Sequence, residues 1–383
     1  MTSIKKTSGT FPFLKRGLIS VASLLSLLFV LGAANAQPPG MRGDGGFDRW
    51  GGRGDRSARQ RRGDQQNESQ NDKQDGAKKG EGQAQEKPIS LDQALQSSNG
   101  TTPIRLNQRE FTAPDGVRLT GTFYKGKGST DAPVVILLND INGSKEALEQ
   151  LGAALAQDGC AVLIPDLRGQ NGSGTQARGA GDNNPPNDRR QIKEGISPYD
   201  VRAMIQTDRS VWFNFLLYLH NNEYCNMKKT VIVGAGFGAA LAASWAKSDW
   251  NAKGDYGQNV VGVALLSPDA SSDAGKYDAL VSLEALRKKA KGAVMGFVVV
   301  TGDMNEEKLE DAKKIQQKLG GKNDAELPPE DKVCPIAAIK TEKQGVDLLL
   351  FEAFGVPTTI RQFVAQRMQK LPKKRNKWEE IGK

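Results

Sequence analysis

Few side chains in this 383-residue chain could carry chemistry. One histidine, His220, ends the run Trp212-Phe213-Asn214-Phe215-Leu216-Leu217-Tyr218-Leu219-His220, so a reaction that needs an imidazole to take and return a proton has a single candidate. On so apolar a helical run, the expectation is a structural histidine at a helix surface or boundary. The three cysteines, Cys160, Cys225 and Cys334, are far apart and odd in number. They exclude a disulfide framework and a paired Cys-x-x-Cys metal site, and leave room for one disulfide and one free thiol. Cys160, at the head of Ala161-Val162-Leu163-Ile164, reads as a small buried hydrophobe. The carboxylates Asp269, Asp273, Glu306, Glu307, Glu310 and Asp311 match no loop or helix spacing of a metal cage, and are expected on a solvated surface. Gly234-Ala235-Gly236-Phe237-Gly238 has neither the Lys-Ser/Thr ending of a P-loop nor Gly-x-Gly-x-x-Gly spacing, which argues against a phosphate cradle. No cofactor and no metal is implied.

The elements that must hold these residues follow from hydrophobic period. Two strand-like runs, Arg109 to Thr112 and Val117 to Tyr124, flank the turn signal Ala113-Pro114-Asp115-Gly116, and predict an antiparallel hairpin. Apolar strands then alternate with helical patterns: Pro133 to Leu138, a helix over Lys145 to Gln157, Ala161 to Pro165, a loop over about Arg168 to Glu194, and a long helix from Pro198 to Asn221. The strand Thr230 to Val233 runs into a helix from Phe237 to Lys247. Further strands are expected at Val260 to Leu266, Gly296 to Thr301 and Val333 to Ile339, with a last helix over Thr358 to Gln369. Continuous apolar strands between helices predict an α/β fold: a mostly parallel central sheet with helices on both faces.

Over roughly Arg109 to Gln369 the landmarks resemble the α/β-hydrolase superfamily, in order. Phe111 to Leu119 is similar to the family's opening hairpin. Leu137-Leu138-Asn139-Asp140-Ile141-Asn142-Gly143-Ser144 stands where members often read Leu-Leu-His-Gly-x-x-Gly-Ser, a loop that helps form the oxyanion hole. Pro165-Asp166-Leu167-Arg168-Gly169 resembles the family's Pro-Asp-x-Arg-Gly. A strand, then Gly234-Ala235-Gly236-Phe237-Gly238, then an alanine-rich helix is the context of the nucleophile elbow Gly-x-Ser-x-Gly.

The resemblance implies a serine hydrolase, and the residues at the working positions depart from it. Gly236 stands where the nucleophile belongs and has no side chain to project; glycine also adopts the elbow's positive φ without penalty. Gln344, in Gln344-Gly345-Val346-Asp347-Leu348, stands where members carry His-Gly-x-x-x-Leu, and glutamine cannot cycle a proton. Asn305, in Gly302-Asp303-Met304-Asn305, takes the place of the acid; Asp303, Glu306 or Glu307 would need a register change to replace it. Asn139-Asp140 replaces the His-Gly of the oxyanion loop, and a carboxylate there disfavours a developing oxyanion.

Composition organises the rest. Residues 1–36 read as an export signal: Lys5, Lys6, Lys15 and Arg16 precede the apolar run Leu18 to Leu31, which ends at Ala34-Asn35-Ala36. An uncleaved N-terminal anchor is the alternative. Residues 37–100 are expected to be a disordered Gly/Arg/Asp/Gln-rich spacer, since no Ile, Leu, Val or Tyr occurs between Gln37 and Pro88. The hydrolase-like domain is placed at 101–370 and a basic tail at 371–383. The formal charge of +9 falls to +5 without the four basic residues of the signal. The clusters Arg59-Gln60-Arg61-Arg62 and Lys370 to Arg375 offer contact with an anionic envelope; no nucleic-acid module accompanies them.

The function expected is therefore that of an exported, non-catalytic α/β-hydrolase-like protein. It would bind a small molecule or a protein in the former substrate cleft, through Asn139, Asp140, Gly236, Phe237, Asn305 and Gln344. The alternatives are an active ester or amide hydrolase with relocated residues, and an envelope-associated structural or interaction protein.

Overall fold

Branched apolar runs such as Pro133–Leu138 and Val260–Leu266 are stable as strands when a sheet is covered on both faces, and that is where they lie. The computed structural model describes residues 90–382, apart from 108, 128–129, 142, 144, 171–172, 174–197, 271–278, 291–294 and 321–332. The strands among the described residues are β1 (Ile104–Leu106), β2 (Gly121–Tyr124), β3 (Pro133–Leu138), β4 (Ala161–Pro165), β5 (Asn226–Ala235), β6 (Val260–Leu266), β7 (Gly296–Gly302) and β8 (Ile336–Ile339). They form one sheet in the order β1-β2-β4-β3-β5-β6-β7-β8. β2 is antiparallel to both its neighbours, and every pair from β4 to β8 is parallel.

The helices among the described residues are α1 (Leu91–Ser97), α2 (Lys145–Gln157), α3 (Pro198–Ala203), α4 (Arg209–Asn221), α5 (Phe237–Asn251), α6 (Ala279–Lys289), α7 (Glu306–Gly320), α8 (Val356–Lys370) and α9 (Lys373–Asn376). Because successive strand side chains point to opposite faces, β3 feeds two cores. Val134, Ile136 and Leu138 pack with Leu216 of α4 and Leu241 of α5; Val135 and Leu137 pack with Leu151 of α2 and Ile360 of α8. The expected α/β fold is thus present. The chain leaves β3 for β4 on one side and returns to β5 on the other, so the crevice outside their carboxyl ends is a topological switch point.

Four expectations are corrected. The predicted hairpin keeps its turn, with Ala113 N–H donating to Val117 O at 2.8 Å, but Arg109–Phe111 is a 3₁₀ turn and the pairing is one bridge, Thr112 with Arg118. The long helix from Pro198 is interrupted by a π turn, Met204–Asp208, where the Thr207 hydroxyl donates back to Ala203 O at 2.9 Å. The spacer does not reach residue 100. α1 starts in a capping box, with Ser90 Oγ accepting from Gln93 N–H, and Leu95 is fully buried. Lastly, residues 371–383 are no free tail: Ile381 is 3% exposed, its carbonyl accepts from Asn221 Nδ2 and its N–H donates to Asn221 Oδ1, both at 3.2 Å.

All three cysteines are free and buried, so the optional disulfide is absent. Burial pushes the Cys160 thiol up to about 12, in keeping with an inert core residue. The expected signal, most of the expected spacer, Asp273 and residues 174–197 of the expected loop lie outside the described residues. No described helix is long and apolar enough to cross a membrane.

Candidate functional site

The site is built on two strand ends. β5 ends at Ala235, and Gly236 makes the turn into α5 with φ 52° and ψ −118°, the left-handed region in which a side chain is strained. Its N–H donates to Leu266 O at the end of β6 (2.9 Å), which ties the turn to the sheet. The next residue, Phe237, opens α5 with its backbone N–H free of an intrahelical partner, as every first-turn N–H is. β3 ends at Leu138, and the loop Asn139-Asp140-Ile141 follows, directly alongside.

Asp140 reaches across this gap. Its Oδ1 accepts from Phe237 N–H (3.1 Å) and from Ile141 N–H (2.7 Å). In a hydrolase elbow, the N–H after the nucleophile and an N–H of the loop after β3 make the oxyanion hole, with donors 2.7–3.1 Å from the oxygen they stabilise. Here a carboxylate of the chain itself occupies both. The other half of the carboxylate takes the nucleophile's space: a Cβ on Gly236 would lie 2.2 Å from Asp140 Oδ2. Glycine at 236 and aspartate at 140 are one packing solution.

The amides of the expected site are engaged by the fold. Asn139 is buried, donates through Nδ2 to Gly143 O (2.8 Å) and accepts Asp140 N–H on Oδ1 (2.9 Å). Gln344 lies over the ends of β6 and β7: Nε2 donates to Gly302 O (3.2 Å), while Oε1 accepts from Ser267 Oγ (2.6 Å) and Thr301 Oγ1 (3.2 Å). Asn305 sits away from them as the cap of α7, its Oδ1 accepting Lys308 N–H at 3.1 Å. Asp303 is half-buried, with Oδ1 lacking a hydrogen-bond partner among the described residues, and Glu306 and Glu307 are exposed on the first turn of α7. The structure therefore brings Asp140, Gly236 and Phe237 into contact, packs Asn139 behind them, sets Gly345 beside Asp140, and leaves Asn305 to the helix.

His220 is elsewhere. It closes α4 and is fully buried. Its Nε2–H donates to Glu379 O (2.8 Å), its Nδ1 accepts Met227 N–H (3.3 Å), and its ring lies 5.3 Å from that of Trp378. Burial holds its pKa below the ordinary value, so the neutral ring is favoured. It lies at the helix boundary expected for it, buried rather than on the surface.

Residues outside the expected binding set support the site and its surroundings. Ser267, at the end of β6, takes φ 47° and is buried; its only sequence signal is a hydroxyl just past an apolar strand. Gln170 donates through Nε2 to the carbonyls of Asp140 (2.9 Å) and Ile141, pinning the loop from outside. Arg168, in the Pro-Asp-x-Arg-Gly motif, is fully buried between Asp115 (2.6 and 3.0 Å) and Asp208 (2.7 Å twice). Desolvation is the largest influence on both partners. It raises the Asp208 carboxyl, and on Arg168 it is outweighed by the hydrogen bonds to Asp208 and Asp115, which raise the guanidinium further. Of the carboxylates expected on a solvated surface, Asp269 is exposed and pairs with Lys308, whereas Asp311 is buried, its Oδ2 accepting Ala270 N–H (3.1 Å); no metal-holding cluster occurs among the described residues.

Residues 119–259 match the model of the dienelactone hydrolase family. No curated protein matches the chain. Among solved structures, a sugar hydrolase (YeeB) from Lactococcus lactis is similar at 12% identity and TM-score 0.47, over 71% of this chain and 100% of that one. The α/β hydrolase GrgF from a Penicillium species gives 12% and 0.45 over 70% and 99%. The esterase Pf2001 from Pyrococcus furiosus gives 13% and 0.42 over 69% and 91%.

Proposed function

We propose that this chain is a non-catalytic relative of the α/β-hydrolase superfamily that recognises a ligand at the former substrate cleft. The observation that carries the reading is the Asp140 carboxylate seated on the Phe237 and Ile141 N–H groups over a glycine elbow. Acyl transfer needs a nucleophile, an imidazole and two free N–H donors for the oxyanion. At this turn the nucleophile position is Gly236, the donors are spent, and a developing oxyanion would meet a carboxylate at close range. The imidazole is bonded to the C-terminal segment instead.

Export is part of the proposal, on the basic-apolar-small pattern of residues 1–36. The test of the whole reading is an activity probe on the full chain. A fluorophosphonate is expected to label no serine and p-nitrophenyl esters to be hydrolysed at the background rate. Stoichiometric labelling of a serine in the folded protein, lost on unfolding, sinks the proposal and establishes a relocated active site.

A further inference from the structure

We infer that the altered crest binds a cationic N–H donor, an ammonium or guanidinium group, with Asp140 Oδ2 as its acceptor. The inference rests on the non-catalytic reading and specifies the ligand's chemistry. In a working hydrolase the ligand brings an acceptor, its carbonyl oxygen, to two backbone donors. Here those donors are filled by Asp140 Oδ1. The neighbouring hydroxyls of Ser267 and Thr301 donate to Gln344, and one N–H each of Asn139 and Gln344 is held by Gly143 O and Gly302 O. A ligand acceptor finds both oxyanion-type donors occupied, and a carboxylate stands in its place.

What stays open is an acceptor. Asp140 is half-buried, and among the described residues nothing donates to its Oδ2 and no Lys or Arg pairs with it. Both residues beneath and beside Oδ2 are glycines: a Cβ on Gly236 would overlap it, and one on Gly345 would come within 3.5 Å. The missing side chains leave no Cβ against this oxygen. A half-buried carboxylate without a counter-cation gains most from a charged N–H partner, which makes a shorter and stronger hydrogen bond than a neutral one.

The experiment follows the backbone amides of Phe237 and Ile141 by NMR in the full chain while n-butylammonium, n-butylguanidinium, n-butanol and n-butyrate are added at constant ionic strength. The two cations are expected to shift these amides saturably, and the alcohol and carboxylate to leave them unmoved. Asp140→Asn keeps an oxygen for both amides and should weaken the cations about tenfold, the worth of one charge-assisted hydrogen bond. Gly345→Asn, at a φ that asparagine tolerates, should crowd Oδ2 and weaken them similarly. Equal shifts with butyrate or butanol, unchanged cation binding in both variants, or no shift with either cation overturns the inference. Fluorophosphonate treatment of the same sample separates the two readings: labelling defeats the non-catalytic proposal, whereas an unlabelled protein indifferent to cations defeats this inference alone.

Discussion

His220 and Gly236 lie at opposite ends of one strand. The imidazole is bonded to the backbone at Met227, where β5 begins, and Gly236 follows Ala235, where it ends. Ten residues of strand place them roughly 30 Å apart, at about 3.3 Å per residue. A proton relay between them is excluded by distance, and the separation gives the histidine and the elbow independent mutational consequences.

Gly236→Ser is expected to destabilise the fold without creating an esterase. The new Cβ would overlap the Asp140 carboxylate at 2.2 Å, at a φ that strains any side chain, for a cost of about 1–3 kcal/mol. Urea unfolding measures it, and Asp140→Gly in the same chain should recover part of the loss. Additive effects would show that the two residues do not share the space.

Lowering pH should weaken the fold through His220. Its folded pKa lies below the unfolded value of about 6.5, so the unfolded chain binds the proton first. The stability it contributes is complete above about pH 6.5 and declines as pH falls below that value toward the folded pKa. Urea midpoints between pH 8 and 5 test this as the difference between the native protein and His220→Gln; parallel profiles would refute it. The native profile also contains Asp249, raised to about 6 by burial, whose effect has the opposite sign: it favours the fold as pH drops from 6 toward 3.8.

Replacing Arg168 with methionine removes the guanidinium that bonds Asp115 and the buried Asp208, and leaves Asp208 desolvated without that charge. The expected loss is about 3–5 kcal/mol in unfolding free energy. Lysine should rescue little, because one ammonium cannot make paired bonds to two carboxylates. A loss for methionine comparable to an ordinary surface change would mean that the cluster contributes nothing to stability.

Truncation after Lys377 removes Trp378, the Glu379 carbonyl and Ile381 from the end of α4. Ile381→Ala alone should cost about 2 kcal/mol, at the low end for a buried isoleucine near a surface. A solvated tail would lose nothing in either variant, and thermal unfolding distinguishes the two.

Under the export proposal, N-terminal sequencing of the mature protein is expected to begin at Gln37, after Ala34-Asn35-Ala36. A chain that retains Met1 in the membrane fraction would replace the signal by an anchor.

The sequence alone determined the frame. Strands such as Val260–Leu266 and Gly296–Gly302 are apolar on both faces because they lie inside a covered sheet, so continuous hydrophobicity already implied parallel pairing and helices on either side. The elbow was legible too, since Gly234, Gly236 and Gly238 stand between an apolar strand and an alanine-rich helix, and local spacing suffices to encode a turn. Partners far apart in the chain were decided only by tertiary structure. Asp140 and Phe237 are 97 residues apart, and neither residue type indicates that a carboxylate enters a hole made of backbone N–H groups. Likewise the amides of Asn139, Asn305 and Gln344 read as free ligands in sequence, but each is engaged by the fold, by a loop, a helix cap and two strand ends respectively. Hydrogen bonds saturate within a few ångströms, so which acceptor reaches which donor depends on a three-dimensional register that residue identity does not contain.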